Sequence, residues 1–186
     1  EDPMGASSCV ACGECVQACP TGALMEKSLM NKDSTKRVIY PEKKIESVCP
    51  FCGVGCRTEV SVKDNKIIKV DGIQGPANRG KLCVKGRFGM DYVMHPERLT
   101  KPLIRRDGVE KNPECSYGFA DIMKIFREAT WEEALDLAAS NFLKILNQKG
   151  GKALSGFGSA KGTNEEAYLF QKFIRQGFGT NNVDHC

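Results

Sequence analysis

The chain has 186 residues, 41% of them hydrophobic, and sets 27 basic against 23 acidic residues for a formal charge of +4. That apolar content fills modest cores rather than one large one, which favours several small modules. The charges are scattered without a basic block, which speaks against nucleic acid. No stretch approaches about 18 uninterrupted apolar residues and no charged leader opens the chain, so no membrane span and no visible signal peptide is expected; the chain reads as soluble and cytoplasmic.

Residues 1–25 form a cysteine-rich loop segment that closes on Pro20-Thr21-Gly22-Ala23-Leu24, and residues 26–44 are a polar, Lys-rich linker without sustained apolar period. From Thr58 to Val70 the alternation of Val60 and Val62, then Ile68 and Val70, flanks Asp64-Asn65 and predicts a short β-hairpin. The Gly-, Arg- and Lys-rich loop from Pro76 to Gly89 carries Cys83 and must fold back toward that hairpin if the cysteines share one site. Residues 101–129 have weak periodicity.

Thr130 then opens a helix, with Glu133 completing a capping box and Trp131, Ala134, Leu135, Ala138, Phe142 and Leu146 as its apolar, core-facing side. Gly150-Gly151 ends it. Residues 153–158 read as a buried strand that leads through a glycine loop, Gly156 to Gly162, into a second helix capped by Thr163 and Glu166. That helix carries Ala167, Phe170, Phe173 and Ile174 on one side and runs out at Gly177. Helix, strand, helix in this order suggests the opening of an α/β domain. A start at Glu1 and a stop at Cys186 just beyond a well-formed helix lead us to expect that both ends are cuts.

Ten cysteines must be explained, with disulfides, zinc and iron-sulfur clusters as the candidates. Cys115 and Cys186 stand alone. Cys9, Cys12, Cys15 and Cys19, followed by Pro20, give the C-x2-C-x2-C-x3-C-P run of bacterial ferredoxins. Zinc modules usually pair two C-x2-C knuckles across a longer spacer. By the ferredoxin rule Cys9, Cys12 and Cys15 hold one cluster while Cys19 serves another, whose remaining ligands would lie upstream. Gly13 supplies backbone freedom where the chain must hug the inorganic core.

The second group, Cys49, Cys52, Cys56 and Cys83, has the spacing C-x2-C-x3-C-x26-C. Four thiolates suit zinc or an iron-sulfur cluster. The apolar and glycine filling of residues 50–55 surrounds the sulfurs with backbone amides and excludes water, which tunes a redox potential and is not needed by a structural zinc.

Cys49-Pro50-Phe51-Cys52-Gly53-Val54-Gly55-Cys56, the run from Asn78 through Cys83, Lys85 and Arg87 to Gly89, and the run from His95-Pro96 to Arg105 resemble the N-terminal module of molybdenum or tungsten bis-pterin oxidoreductases, and formate dehydrogenase catalytic subunits most of all. Residues 129–135, 156–168 and 179–186 continue the resemblance, which omits 26–44 and 107–128.

It implies an α+β multi-module chain: the second half of a bacterial-type two-cluster ferredoxin domain at 1–25, a linker at 26–44, a small hairpin-containing 4Fe-4S domain at 45–101, and at 102–186 the beginning of an α/β molybdopterin-binding domain. It further implies 4Fe-4S clusters on both cysteine groups, with the first incomplete in this chain. Lys85 would be an electron-transfer bridge between cluster and pterin, and a bis-molybdopterin guanine dinucleotide cofactor would be bound in part by Gly156, Gly158, Lys161 and Gly162. A glycine loop before a capped helix can also present amides to a pyrophosphate, or merely pack. His95 reads as a structural loop residue.

No residue here is assigned to the catalytic step. The family's metal-binding cysteine or selenocysteine lies beyond the position matched by Cys186, so this chain alone is expected not to oxidise formate. The whole enzyme would oxidise formate to carbon dioxide and pass electrons to flavin/iron-sulfur, NAD-linked or hydrogenase-type subunits. A stand-alone ferredoxin-like carrier, another bis-pterin enzyme such as a nitrate reductase, and a zinc-stabilised interaction module are the alternatives.

Overall fold

The computed structural model describes residues 3–30, 38–111 and 118–185; Cys115 and Cys186 lie outside them. In chain order the elements are α1 (Glu14–Ala18), β1 (Lys43–Val48), β2 (Arg57–Lys63), β3 (Lys66–Gly72), α2 (Val84–Phe88), β4 (Leu103–Arg105), α3 (Phe119–Ile125), β5 (Phe126–Glu128), α4 (Trp131–Lys149), β6 (Gly156–Gly158), α5 (Asn164–Lys172) and β7 (Val183–His185). They fall into two compact units, one drawn from Glu1–His95, Phe157–Lys172 and Asp184–Cys186, the other from Pro96–Gly156 and Phe173–Val183.

The first unit rests on an antiparallel sheet in the order β1-β2-β3. Asp64 and Asn65 take φ of 49° and 57°. Asp and Asn tolerate this left-handed region, and two such residues in succession turn the chain with the twist its flanking strands need. Between Ser61 and Val62 the register slips: Ser61 faces Lys69 but Val62 faces Ile67, so Ile68 is bulged out of the pairing. The simple alternation of Ile68 with Val70 is thereby replaced, and Val60, Ile67 and Val70 share the core face with Cys49, Phe51, Cys56, Leu82 and Met90.

β1 is the edge, exposed along its whole length. Its Lys43, Lys44 and Glu46 discourage a further strand from adding there, and Lys44 pairs with Glu59 across the sheet at 2.8 Å. The 26–44 stretch is more structured than its composition suggests. Lys27–Leu29 make a 3-10 turn, Met30 bridges Val38, β1 begins at Lys43, and Glu26 is 8% exposed.

In the second unit β4 and β5 pair antiparallel, Leu103 with Glu128 through Arg105 with Phe126. Three-residue strands are too short for alternation to reveal. Thr130 caps α4 by accepting from the Glu133 amide at 3.1 Å, but the return arm of the capping box is not made. The Glu133 carboxylate is held by Arg127 instead, which pulls its pKa below the usual carboxylate range. The apolar side of α4 is also not core: no residue of α4 is buried. Phe142 stacks on Phe178 at 4.9 Å and Phe173 meets Phe178 at 5.0 Å, yet Trp131 is 68% exposed. On the second helix only Ile174 of the expected side is fully buried; Ala167 and Phe173 are exposed. A unit this small has too little surface to cover a 19-residue helix.

Candidate metal centre

The second cysteine group is gathered by the ends of the sheet. Cys49 follows β1, and its amide donates to the Cys56 carbonyl at 2.9 Å, closing the loop that carries Cys52. Cys83 arrives from the other side at the start of α2. Its loop is tied down by Asn78, whose Oδ1 accepts from the Arg57 amide at 3.1 Å. Asn78 Nδ2 lies within hydrogen-bonding distance of the carbonyls of Arg57, Ile73 and Lys81. Close backbone approach finishes the fold-back: a Cβ on Gly72 would stand 2.4 Å from the Gly80 carbonyl oxygen, and one on Gly86 3.4 Å from Cys49 Sγ.

The four sulfurs therefore act on one another. Burial pushes the Cys49 thiol upward, and the neighbouring Cys83 and Cys52 add to the shift while Lys85 opposes it. Cys56 is likewise raised, first by burial and then by Cys49, Cys52 and Cys83. A bound cation is what reverses such shifts, because it favours the thiolate. Among the described residues no three His, Cys, Asp or Glu side chains close around one point tightly enough to hold a single metal ion. Four thiols brought from two loops close enough to shift Cys49 and Cys56 are the donor set a 4Fe-4S group takes, so the residues present fit it.

The glycine loop divides. Gly156 is buried in the second unit, whereas Phe157 onward belongs to the first. Lys161 holds its ammonium 5.3 Å from the ring centre of Phe51 and 5.8 Å from that of Tyr92, two rings packed edge-on at 6.1 Å. Asn164 Nδ2 donates to the Gly53 carbonyl at 2.8 Å, and a Cβ at Gly53 would meet Asn164 Oδ1 at 2.5 Å and displace that side chain. The capping box of α5 is complete: the Glu166 amide reaches Thr163 Oγ1 at 3.3 Å and the Thr163 amide reaches Glu166 Oε2 at 2.6 Å. Gly158 lies against Phe170, and a Cβ on Gly162 would lie 3.2 Å from Glu166 Oε2.

The first group is differently housed. Cys9 and Cys15 are exposed, Cys12 and Cys19 half-buried. The Cys19 thiol is lowered to about 7 by a hydrogen bond with the Thr21 hydroxyl and then by the Leu24 amide. Gly13 has φ 76° as expected of a position only glycine fills easily, and Arg87 and Phe88 approach it closely. Residue patterns gave no role to Arg87, Glu14, Gln17, Asn78 or Asn164. The available signal was weak: polar side chains between ligands that no motif required.

Three family models match successive segments of the chain. Residues 6–25 match the 4Fe-4S binding domain, 42–95 the molybdopterin oxidoreductase Fe4S4 domain, and 98–186 the molybdopterin oxidoreductase domain. The chain belongs to the molybdopterin oxidoreductases. Its relatives include proteins of Staphylococcus haemolyticus strain JCSC1435 and of Staphylococcus aureus strains MRSA252 and USA300, each provisionally named formate dehydrogenase and each 37% identical over 99% of this chain. The chain spans 21% of the length of these relatives. As a molybdopterin oxidoreductase it is part of an iron-sulfur and molybdopterin enzyme family, with Cys9 to Cys19 inside the first matched segment and Cys49 to Cys83 inside the second. No helix among the described residues is long and apolar enough to cross a membrane.

Proposed function

We propose that this chain is the N-terminal part of a formate dehydrogenase catalytic subunit, and that Cys49, Cys52, Cys56 and Cys83 hold its 4Fe-4S cluster. The observation that carries the reading is the closed Cys49–Cys56 loop with α2, which starts at Cys83, packed against the Cys49 sulfur, in a module matched as a molybdopterin oxidoreductase Fe4S4 domain. When bound, the cluster supplies a one-electron relay and the molybdopterin metal the oxidation of formate to carbon dioxide. The chain's own work is to bind, orient and exclude water. Phe51, Val70, Leu82 and Met90 bury the cysteine loop, Gly86 lets α2 approach the Cys49 sulfur, and Lys85 brings a positive charge that favours thiolate.

The same reading gives Cys9, Cys12 and Cys15 to a ferredoxin-type cluster and Cys19 to a companion cluster, and divides the chain at 1–25, 26–44, 45–101 and 102–186. Lys85 is the bridge toward the pterin. Gly156, Gly158, Lys161 and Gly162 share in holding its guanine dinucleotide; the amides of Lys161 and Thr163 are already engaged by Ser159 and Glu166, which leaves the Lys161 ammonium as the loop's charged donor. Electrons leave through a cytoplasmic flavin/iron-sulfur, NAD-linked or hydrogenase-type subunit.

The test is elemental analysis of the complete subunit purified without oxygen, paired with dye reduction. About four irons and matching sulfide are expected from the Cys49 group, and about four more for each further filled cluster, with molybdenum or tungsten and formate-driven dye reduction. Zinc in place of iron overturns the cluster assignment. Nitrate-driven dye oxidation without formate activity overturns the substrate.

A further inference from the structure

Arg87 lies four residues beyond Cys83, and its side chain has no solvent exposure. All three guanidinium nitrogens are engaged, and from α2, which follows Cys83, they reach the segment of the first cysteine group and β3. Nε donates to the Cys12 carbonyl at 2.9 Å, Nη2 to Glu14 Oε1 at 2.5 Å and to Gln17 Oε1 at 2.7 Å, and Nη1 to Asp71 Oδ1 at 3.2 Å. Glu14 and Gln17 stand on α1, between the first group's ligands; Asp71 stands on β3, against which the loop of Cys83 folds.

The partners extend the clamp. Glu14 Oε1 also accepts from the amide of Leu82, the residue before Cys83, at 2.9 Å. Gln17 Nε2 donates to the carbonyls of Gly72 and Gly80 and its Oε1 accepts from the Gly72 amide, each at 3.0 Å. Gly13 leaves room for it, since a Cβ there would stand 2.5 Å from Arg87 Cδ. Every one of these residues belongs to the same compact unit.

Two physical points give the clamp its meaning. A guanidinium is a planar fork with donors in fixed directions, so it sets geometry where a lysine would only supply charge. It also grips the backbone of Cys12, a ligand residue, rather than a side chain that could swing away. Transfer of an electron between two centres depends on their separation, and cluster potentials depend on the charges and hydrogen bonds around the sulfurs.

We propose that Arg87 is the positioning residue that holds the two cysteine groups in fixed register as an electron-transfer pair. This rests on the reading that both groups carry clusters. The test is electron paramagnetic resonance of the fully reduced complete subunit, with iron and sulfide counted on the same samples, for wild type, Arg87→Leu, Arg87→Lys and Gln17→Ala. Wild type is expected to show the splitting of two magnetically interacting clusters. Arg87→Leu and Arg87→Lys are expected to keep both clusters and lose that splitting, and Gln17→Ala to weaken it.

An unchanged splitting in variants that retain both clusters overturns the proposal and leaves the cluster assignment standing. A wild-type protein without a first-group cluster overturns both, and is recognised from its iron count before any variant is made. Should Arg87→Leu fail to assemble, because half-buried Glu14 loses its cation and Asp71 keeps only Lys69, Arg87→Lys and Gln17→Ala decide by the same spectrum. A purely structural role would lower thermal stability and iron content together without changing the splitting of the clusters that remain.

Discussion

The two cysteine groups use one ligand chemistry in opposite settings. Cys49 is part of the hydrophobic core, packed with Phe51, Val70, Leu82 and Met90, and burial raises its thiol. Cys19 sits near the surface in its own turn, where Thr21 and Leu24 lower its thiol to about 7. The difference teaches what each module depends on. Around Cys49 the protein fold and the proposed cluster site are one object, and without a cluster its thiol is desolvated in the core. Around Cys9 to Cys19 the fold contributes little burial, and the segment is fastened by polar contacts from α1.

The largest way to break the comparison is to remove one ligand from each side. Cys49→Ala is expected to lose about four irons and, with them, the cooperative unfolding of the first unit, since core packing and cluster binding fail together. Cys15→Ala, at an exposed position, is expected to lose only the first group's iron and to change the stability of the cluster-free chain by no more than about 0.5 kcal/mol. Iron analysis and thermal melts read both; equal destabilisation by the two variants would erase the distinction.

Gly13→Ala sharpens it next. The residue has φ 76°, and an added Cβ would meet Arg87 and Phe88. A cost of about 1–3 kcal/mol is expected from the backbone alone, confined to the docking of the first segment. Hydrogen exchange should rise in residues 9–19 and stay protected in β2 and β3.

Glu26 offers a smaller, pH-dependent effect. Burial raises its pKa above 4.5, and its Oε1 is buried without a hydrogen-bond partner. The folded chain therefore holds a proton there that the unfolded chain releases near pH 4.5. Its contribution is whole below that value and is lost as pH rises through the folded value, because the unfolded state then binds fewer protons than the native state. Glu26→Gln, which cannot ionise, is expected to flatten that part of the stability profile in denaturant titrations; an unchanged profile would show that Glu26 is ionised in the fold.

The sequence reveals these features unevenly, for physical reasons. The Asp64-Asn65 reversal, the Thr130 cap and the Thr163–Glu166 box are local, each written in a few neighbouring residues. The bulge at Ile68 is not, because it depends on which residue of β3 faces Val62. β4 and β5 are too short for periodicity, and the exposure of α4 depends on what surrounds it rather than on its own apolar stripe. At the candidate metal centre the cysteines and their spacings are plain, but Arg87, Gln17, Asn78 and Asn164 act across long separations, where a single sequence carries no record of who meets whom.

The finest contrast between the two groups is thiol reactivity in the cluster-free chain. The thiolate is the reactive form, so the alkylation rate of Cys19 should climb as pH rises through about 7 and level off above it. Cys49 and Cys56, raised by burial, should react slowly at that pH for two reasons, a small thiolate fraction and poor access. Peptide-resolved mass spectrometry after brief iodoacetamide treatment separates the sites. Thr21→Val removes the hydroxyl that contributes most to the Cys19 shift and should move its midpoint upward while leaving Cys49 untouched. If Cys49 is modified as fast as Cys19, the loop from Cys49 to Cys56 is open without its cluster, and its burial is a product of metal binding rather than of Phe51, Leu82 and Met90 packing.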